Sequence, residues 1–165
     1  MRKLLFCCFG IMLSGISQAS ETLCEPTEKV IFSCSVKSSQ KIISICGSSK
    51  LTAAEGYLQY RFGTPTHVEF TYPASKANTQ RQFTWEWHHP YQSFLLDLTF
   101  ENGDYFYDVF STEISEELNG ESGGKHEYGV RVFKHGDEKW KKTFECQHRP
   151  TGHFDLGGIV EDMPQ

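Results

Sequence analysis

The 165-residue sequence lacks the short motifs that usually hold a metal, a phosphate or a nucleophile. It has no GxxxxGK[ST] or strand-linked GxGxxG segment, which argues against a nucleotide-binding loop. It has no CxxC pair, and His126-Glu127 lacks the second histidine that a zinc-binding HExxH helix requires. No serine hydrolase is predicted either. The sequence therefore predicts no metal, no cofactor and no catalytic residues.

Long apolar runs are also scarce, and the clearest one stands at the start of the chain. Leu4–Leu13 is apolar, follows Arg2 and Lys3, and precedes the small residues Ser17 and Ala19. This pattern predicts a signal peptide over residues 1–19, because the run is too short to span a bilayer. An exported, periplasmic or secreted protein with no membrane segment after cleavage is expected.

Basic residues are fewer than acidic ones. Removing the signal peptide leaves 14 of the 16 basic residues against 21 acidic residues, a net charge of −7. Such a charge argues against nucleic acid or an anionic membrane as the partner. It is compatible with a basic protein partner.

Four cysteines remain in the predicted mature chain, and an even number in an exported protein predicts two disulfides with three alternative pairings. The preferred pairing is Cys34–Cys46, across a first hairpin, with Cys24–Cys146 joining the ends of the domain. The pairing Cys24–Cys34 with Cys46–Cys146 remains open.

Alternating apolar residues predict short strands throughout residues 20–165, with a C-terminal tail from about residue 147. The clearest hairpin spans Phe94–Phe110 around Asn102-Gly103, a dipeptide that favours a type I′ turn. That turn would place Phe100 opposite Tyr105. No helix is convincing. The predicted fold is all-β: one antiparallel β-barrel or sandwich of about eight to nine hairpin-linked strands.

Two groups of residues could carry a function. Trp85 and Trp87 alternate along one strand, which is compatible with core positions or with a binding surface. Asp97 and Asp108 are expected near each other across the central hairpin, where a general acid and base would require one raised pKa.

A polar, glycine-bearing segment, Ser115–Lys125, is predicted to be a mobile acidic loop. Five residues in and after it are the predicted binding residues: Ser122, Gly123, Lys125, His126 and Tyr128. A small exported β-protein with a Ser-Gly loop resembles the periplasmic lysozyme inhibitors of bacteria, which insert a Ser-Gly-x-x-Tyr loop into the lysozyme cleft. This chain departs from that motif, because two extra residues separate Ser122-Gly123 from Tyr128.

A second resemblance covers Cys34–Pro73, where the ICGS and GYLQYRFGTP sequences are similar to small exported bacterial proteins of unassigned function. That resemblance implies no activity. The sequence as a whole predicts a monomeric, non-enzymatic binding protein with a protein partner, such as an inhibitor of a basic cell-wall hydrolase like lysozyme, or an immunity protein. The alternatives are a small-ligand carrier with a pocket at Trp85, Trp87 and Tyr107, and an enzyme acting on cell-wall or sugar substrates.

Overall fold

The computed structural model of the protein describes residues 22–77, 79–118 and 121–162. The predicted signal peptide lies outside the described residues. As predicted, the described chain is all-β, and the one helical element found in it is the 3-10 turn Gln80–Gln82. Within the described ranges, no helix is long and apolar enough to cross a lipid bilayer.

The strands form two sheets. The four-stranded sheet has the order β1-β2-β3-β4, with β1 Lys29–Ser35, β2 Ile42–Gly47, β3 Leu58–Thr64 and β4 His67–Tyr72. The six-stranded sheet has the order β10-β5-β6-β7-β8-β9. Its strands are β5 Thr84–His88, β6 Ser93–Asn102, β7 Tyr105–Leu118, β8 Glu121–Lys134, β9 Asp137–Glu145 and β10 Glu161–Asp162. Neighbouring strands are antiparallel except β10 and β5, which are parallel.

One hydrophobic core joins the two sheets, because side chains from both contribute to it. Its centre is a set of stacked rings in which Phe100 lies 4.4 Å from Tyr72 and 4.7 Å from Tyr107 between ring centroids. Phe154, in the segment predicted as a tail, packs on Trp85 at 5.2 Å. Leu156 in the same segment is fully buried. Residues after 147 therefore complete the core.

The central hairpin has a different register from the predicted one. β6 and β7 are joined through Gly103-Asp104, so Phe100 lies opposite Tyr107 rather than Tyr105. Gly103 has φ +60° at the first central position, as a type II′ turn requires. Because the shift is two residues, each side chain stays on its predicted face.

The disulfides also differ from both pairings considered from the sequence. The observed bonds are Cys24–Cys46 and Cys34–Cys146. Cys34 lies opposite Ile43 in the β1–β2 ladder, three positions from Cys46. Since side chains alternate along a strand, Cys34 and Cys46 point to opposite faces of the sheet and cannot bond to each other. Cys34 faces the core and reaches the end of β9, whereas Cys46 reaches the N-terminal segment.

The N-terminal segment covers the outer face of the four-stranded sheet over a buried ion pair. The guanidinium of Arg61 donates to both carboxylate oxygens of Glu28 at 2.7 Å, and the Tyr57 hydroxyl donates to Glu28 at 2.7 Å. The side chains of Arg61 and Glu28 are 6% and 1% exposed. Burial alone would raise the pKa of Glu28, but the hydrogen bonds from Arg61 and Tyr57 lower that pKa to about 2.

Candidate functional site

The long β7–β8 hairpin extends beyond its neighbouring strands. β6 begins opposite Ile114, and β9 ends opposite Gly129. Beyond these points, no other strand within the described ranges pairs with β7 or β8. Residues 115–118 and 121–124 therefore form a two-stranded projection, which we call the arm. The Ser115 N–H donates to the Gln92 carbonyl at 2.8 Å, and beyond this bond the outer edges of the arm retain backbone donors and acceptors that another chain can pair with.

The arm replaces the mobile loop that was predicted for Ser115–Lys125, and this prediction is wrong. Ser115 pairs with Gly124, and Leu118 pairs with Glu121, so the connection spans only residues 119 and 120, which lie outside the described residues. The polar composition of the segment suggested a loop. The signal that could have located the hairpin is Asn119-Gly120, a strong two-residue turn sequence.

The five predicted binding residues lie along one strand, β8. Ser122 and Gly123 lie opposite Glu117 and Glu116 in the arm. The five residues therefore do not form one continuous binding loop.

The other three of these residues lie at the base of the arm. Lys125 is exposed, and its ammonium lies 2.8 Å from the carboxylate of Glu127. His126 is exposed and stacks on Tyr128 with 6.4 Å between ring centroids.

Tyr128 takes part in a polar contact where the arm meets the domain. Its hydroxyl donates to Glu113 at 3.0 Å, and Arg149 donates to the same carboxylate oxygen at 2.8 Å. Burial and the neighbouring Glu113 carboxylate raise the pKa of Tyr128 to about 12. These three residues and Phe94 line a cavity of about 230 Å³. Tyr128 is therefore a fixed, neutral residue of the arm base.

The two tryptophans of β5 occupy different environments. Trp85 is 2% exposed and belongs to the core. Trp87 is 57% exposed, and its ring lies 6.3 Å from Phe94 and 6.4 Å from His89. We call Trp87, His89 and Phe94 the aromatic patch. Phe94 pairs with Glu113 on β7, which places the patch at the base of the arm.

The predicted carboxylate pair exists, on the opposite face of the sheet from the core. Arg131 lies 2.8 Å from Asp97 and 2.7 Å from Asp108, and it stacks on Phe110 at 4.4 Å. Burial raises the pKa of both carboxyl groups, and burial together with the Asp97 charge raises that of Asp108 to about 7. One oxygen of Asp108 is buried without a hydrogen-bond partner.

A groove of about 700 Å³ lies beside this carboxylate pair, lined by Arg131, Lys37 and Arg149 among others. Neither aspartate lines the groove. Its cations are largely neutralised by neighbouring carboxylates, since Lys37 lies 3.5 Å from Glu145 and Arg149 pairs with Glu113. The geometry gives a substrate no direct contact with the carboxylate pair and does not favour general acid and base chemistry there.

Three short matches to hydrolase motifs are present although no serine hydrolase was predicted, and the structure supports none of them. Residues 120–124 (GESGG) fit the GxSxG spacing, but Ser122 lies in a strand paired with Glu117 rather than at a strand-to-helix turn. Two pairs fit the SxxK spacing. Ser38 and Lys41 lie in the turn between β1 and β2, and Ser122 and Lys125 lie within strand β8.

One cluster has metal-ligand side chains close together, namely Cys24, Glu28 and Cys46. Both cysteines are consumed by the disulfide, and Glu28 is paired with Arg61. This group therefore does not form a metal site.

A separate cavity of about 320 Å³ opens between β3–β4 and β7–β9. Its walls include Tyr60, Phe62, Phe70, Tyr107, Lys142 and Phe144, and we call it the aromatic cavity. Of the three residues expected to line a ligand pocket, Tyr107 does so, whereas Trp85 and Trp87 do not line this cavity.

No protein-family model matches this chain, and comparisons with curated proteins and with solved structures find no similar protein.

Proposed function

We propose that this protein is an exported, monomeric, non-enzymatic binding protein that engages a protein partner through the arm and the aromatic patch. The observation that carries the proposal is the extension of β7 and β8 beyond both neighbouring strands. A two-stranded projection is narrow enough to enter a cleft, and its unpaired edges offer backbone hydrogen bonds to a partner.

The charge of the arm favours a basic partner. In sequence, residues 115–124 contain three glutamates and no lysine or arginine. An acidic projection on an acidic protein attracts a basic enzyme and accelerates their encounter. A basic cell-wall hydrolase such as lysozyme is the sharpest candidate, with the arm inserted in its cleft.

The aromatic patch supplies the apolar part of the same surface. Trp87 is large and more than half exposed, although it belongs to the face that is buried further along β5. Exposed tryptophans next to a polar rim are typical of residues that dominate binding energy. We also propose that the two sheets form an open sandwich, since β4 and β10 end the two strand orders without pairing to each other in the described chain.

The experiment measures binding of the oxidised mature protein, residues 20–165, to a panel of purified basic lysozymes by surface plasmon resonance at low and high salt. One variant replaces residues 115–124 with Asn-Gly. Because Ile114 pairs with Lys125, this replacement shortens the hairpin and keeps its register. We expect stoichiometric, salt-sensitive binding by the natural protein and a loss of roughly tenfold or more in the shortened variant, or at least ~1.4 kcal/mol.

The matched control is Glu101→Gln, which removes an exposed carboxylate near the other end of the β6–β7 hairpin. This variant should bind as the natural protein does. Trp87→Ala should weaken binding without unfolding the domain. Equal binding by the natural protein and the folded, shortened variant would show that the arm is not the binding element. No binding to any lysozyme in the panel would remove lysozyme as the partner.

A further inference from the structure

The aromatic cavity has the size and lining of a small-molecule site. Its volume of about 320 Å³ lies at the lower end of the roughly 300–1,000 Å³ that such sites occupy. It corresponds to about ten water-sized volumes of ~30 Å³ each. A compound with one or two fused rings is the appropriate size.

The walls of the cavity are aromatic rings that contact one another in stacked and tilted arrangements. The ring centroids of Phe70 and Tyr107 are 5.6 Å apart, with an interplanar angle of 22°. Those of Phe62 and Phe144 are 5.2 Å apart. The ring centroids of Tyr60 and Tyr107 are 6.2 Å apart. Offset and edge-to-face contacts with these rings favour a planar, unsaturated ligand over a branched aliphatic one.

One hydroxyl in this lining, that of Tyr60, has no hydrogen-bond partner among the described residues and is not fully enclosed. Tyr60 is 2% exposed, and its hydroxyl makes no hydrogen bond to any residue that the structure describes. A tyrosine hydroxyl that lines an apolar cavity can form its hydrogen bond with water or with a bound ligand. Burial and the neighbouring Tyr107 raise the pKa of Tyr60, so the hydroxyl stays protonated and can donate to an oxygen of a ligand.

A cation at the rim of the cavity indicates which charge a ligand should carry. The ammonium of Lys142 lies 4.8 Å from the ring centroid of Phe144, and the residue is exposed. Lys142 forms no ion pair with the part of the chain that the structure describes. An uncompensated ammonium at the edge of an apolar cavity favours an anionic group on the ligand.

We propose that the aromatic cavity binds a small planar aromatic carboxylate. The ring of the ligand lies against the aromatic walls, Lys142 balances the carboxylate, and the Tyr60 hydroxyl donates to a ligand oxygen. This site is independent of the arm and of the protein partner proposed above.

The test titrates the oxidised mature protein with 2-naphthoate by isothermal calorimetry, with neutral 2-naphthamide and saturated cyclohexanecarboxylate as comparison compounds. We expect 1:1 binding of 2-naphthoate with Kd below about 1 mM, and weaker binding of both other compounds. Tyr60→Phe keeps the ring and removes only the hydroxyl. This variant should bind 2-naphthoate roughly tenfold or more weakly, as the loss of a hydrogen bond to a charged group implies.

Lys142→Gln should lower the affinity for 2-naphthoate and leave the affinity for 2-naphthamide unchanged. The matched control is Lys141→Gln, because Lys141 lies on the opposite face of β9, 5.8 Å from the ring centroid of Phe133. That variant should bind 2-naphthoate as the natural protein does. The proposal is overturned if 2-naphthoate does not bind at about 1 mM. It is equally overturned if the folded Tyr60→Phe and Lys142→Gln variants bind it with unchanged affinity.

Discussion

Glu28→Gln is the substitution for which the structure allows the most complete prediction. The variant keeps the shape of the side chain but removes the carboxylate charge that pairs with Arg61. Arg61 is then left 6% exposed without its principal counterion. We expect the free energy of unfolding at pH 7 to fall by about 3–5 kcal/mol, the usual cost of breaking a buried ion pair on one side.

The pKa of Glu28 gives a separate measure of how much its interactions stabilise the folded state. Lowering it from 4.5 to about 2 corresponds to roughly 3 kcal/mol, at about 1.4 kcal/mol per pH unit. Because the folded-state pKa lies below the unfolded-state value, this stabilisation is complete above pH ~4.5 and is lost as the pH falls towards ~2. The natural protein should therefore lose stability across that interval, and Glu28→Gln should lose much less.

The assay is urea unfolding at pH 7 and pH 3 with the disulfides intact, followed by tryptophan fluorescence. Glu25→Gln is the matched control, because Glu25 lies in the same segment, 3.9 Å from Arg61, but its side chain is 55% exposed. It should change stability by less than about 1 kcal/mol. A buried, stabilising Glu28–Arg61 ion pair is ruled out if Glu28→Gln unfolds at the same urea concentration as Glu25→Gln, or keeps the acid sensitivity of the natural protein.

Three further measurements test other parts of the structure. Replacing both cysteines of the Cys34–Cys146 bond, which spans 112 residues, should cost about 5 kcal/mol in urea unfolding, against about 3 kcal/mol for the 22-residue bond. Trp85→Ala should cost about 3–5 kcal/mol in the same assay, whereas Trp87→Ala should cost far less because its side chain is already exposed. The folded-state pKa of Asp108 is raised to about 7, so its contribution to stability declines as the pH rises from ~4 to ~7; Asp108→Asn should abolish that decline, measured as unfolding free energy against pH.

The sequence predicted most of the strands, although not those of the arm or β10, and it predicted which face of the central hairpin enters the core. Both follow from the two-residue period of a strand, which needs no knowledge of the partner strand. The turn of that hairpin was placed one residue early, which shifted the pairing by two. A shift of two leaves faces unchanged, so Leu98 and Phe100 were still correctly assigned to the core.

The disulfides could not be inferred in the same way. Which face of the sheet two cysteines share changes when the strand register shifts by an odd number of residues, and stays the same when it shifts by an even number. In the first hairpin, Cys34 lies opposite Ile43, whereas the preferred pairing needed it opposite Cys46. The polar turn between the strands did not specify the register to one residue. A one-residue error exchanges the faces and therefore the bonding partners.

The candidate site was predicted only in part, because exposure depends on how far the opposing elements extend. Trp85 and Trp87 are equivalent by alternation. Phe154 packs on Trp85, which is buried, whereas Trp87 has no such cover in the described chain and is more than half exposed. The aromatic cavity is composed of residues from five strands, and of these only Tyr107 was predicted to line a ligand pocket. No local pattern brings such residues together.

The arm also raises a question of folding that bears on its function. Exposed strand edges invite aggregation, and natural proteins protect them with charged residues or keep them short. This protein has a two-stranded projection that no neighbouring strand in the described chain supports, and its sequence carries three glutamates in residues 115–124. Charge alone would explain how such an edge is tolerated, but a shorter hairpin would avoid the risk altogether. The retained length is therefore better explained by a binding role than by the stability of the domain.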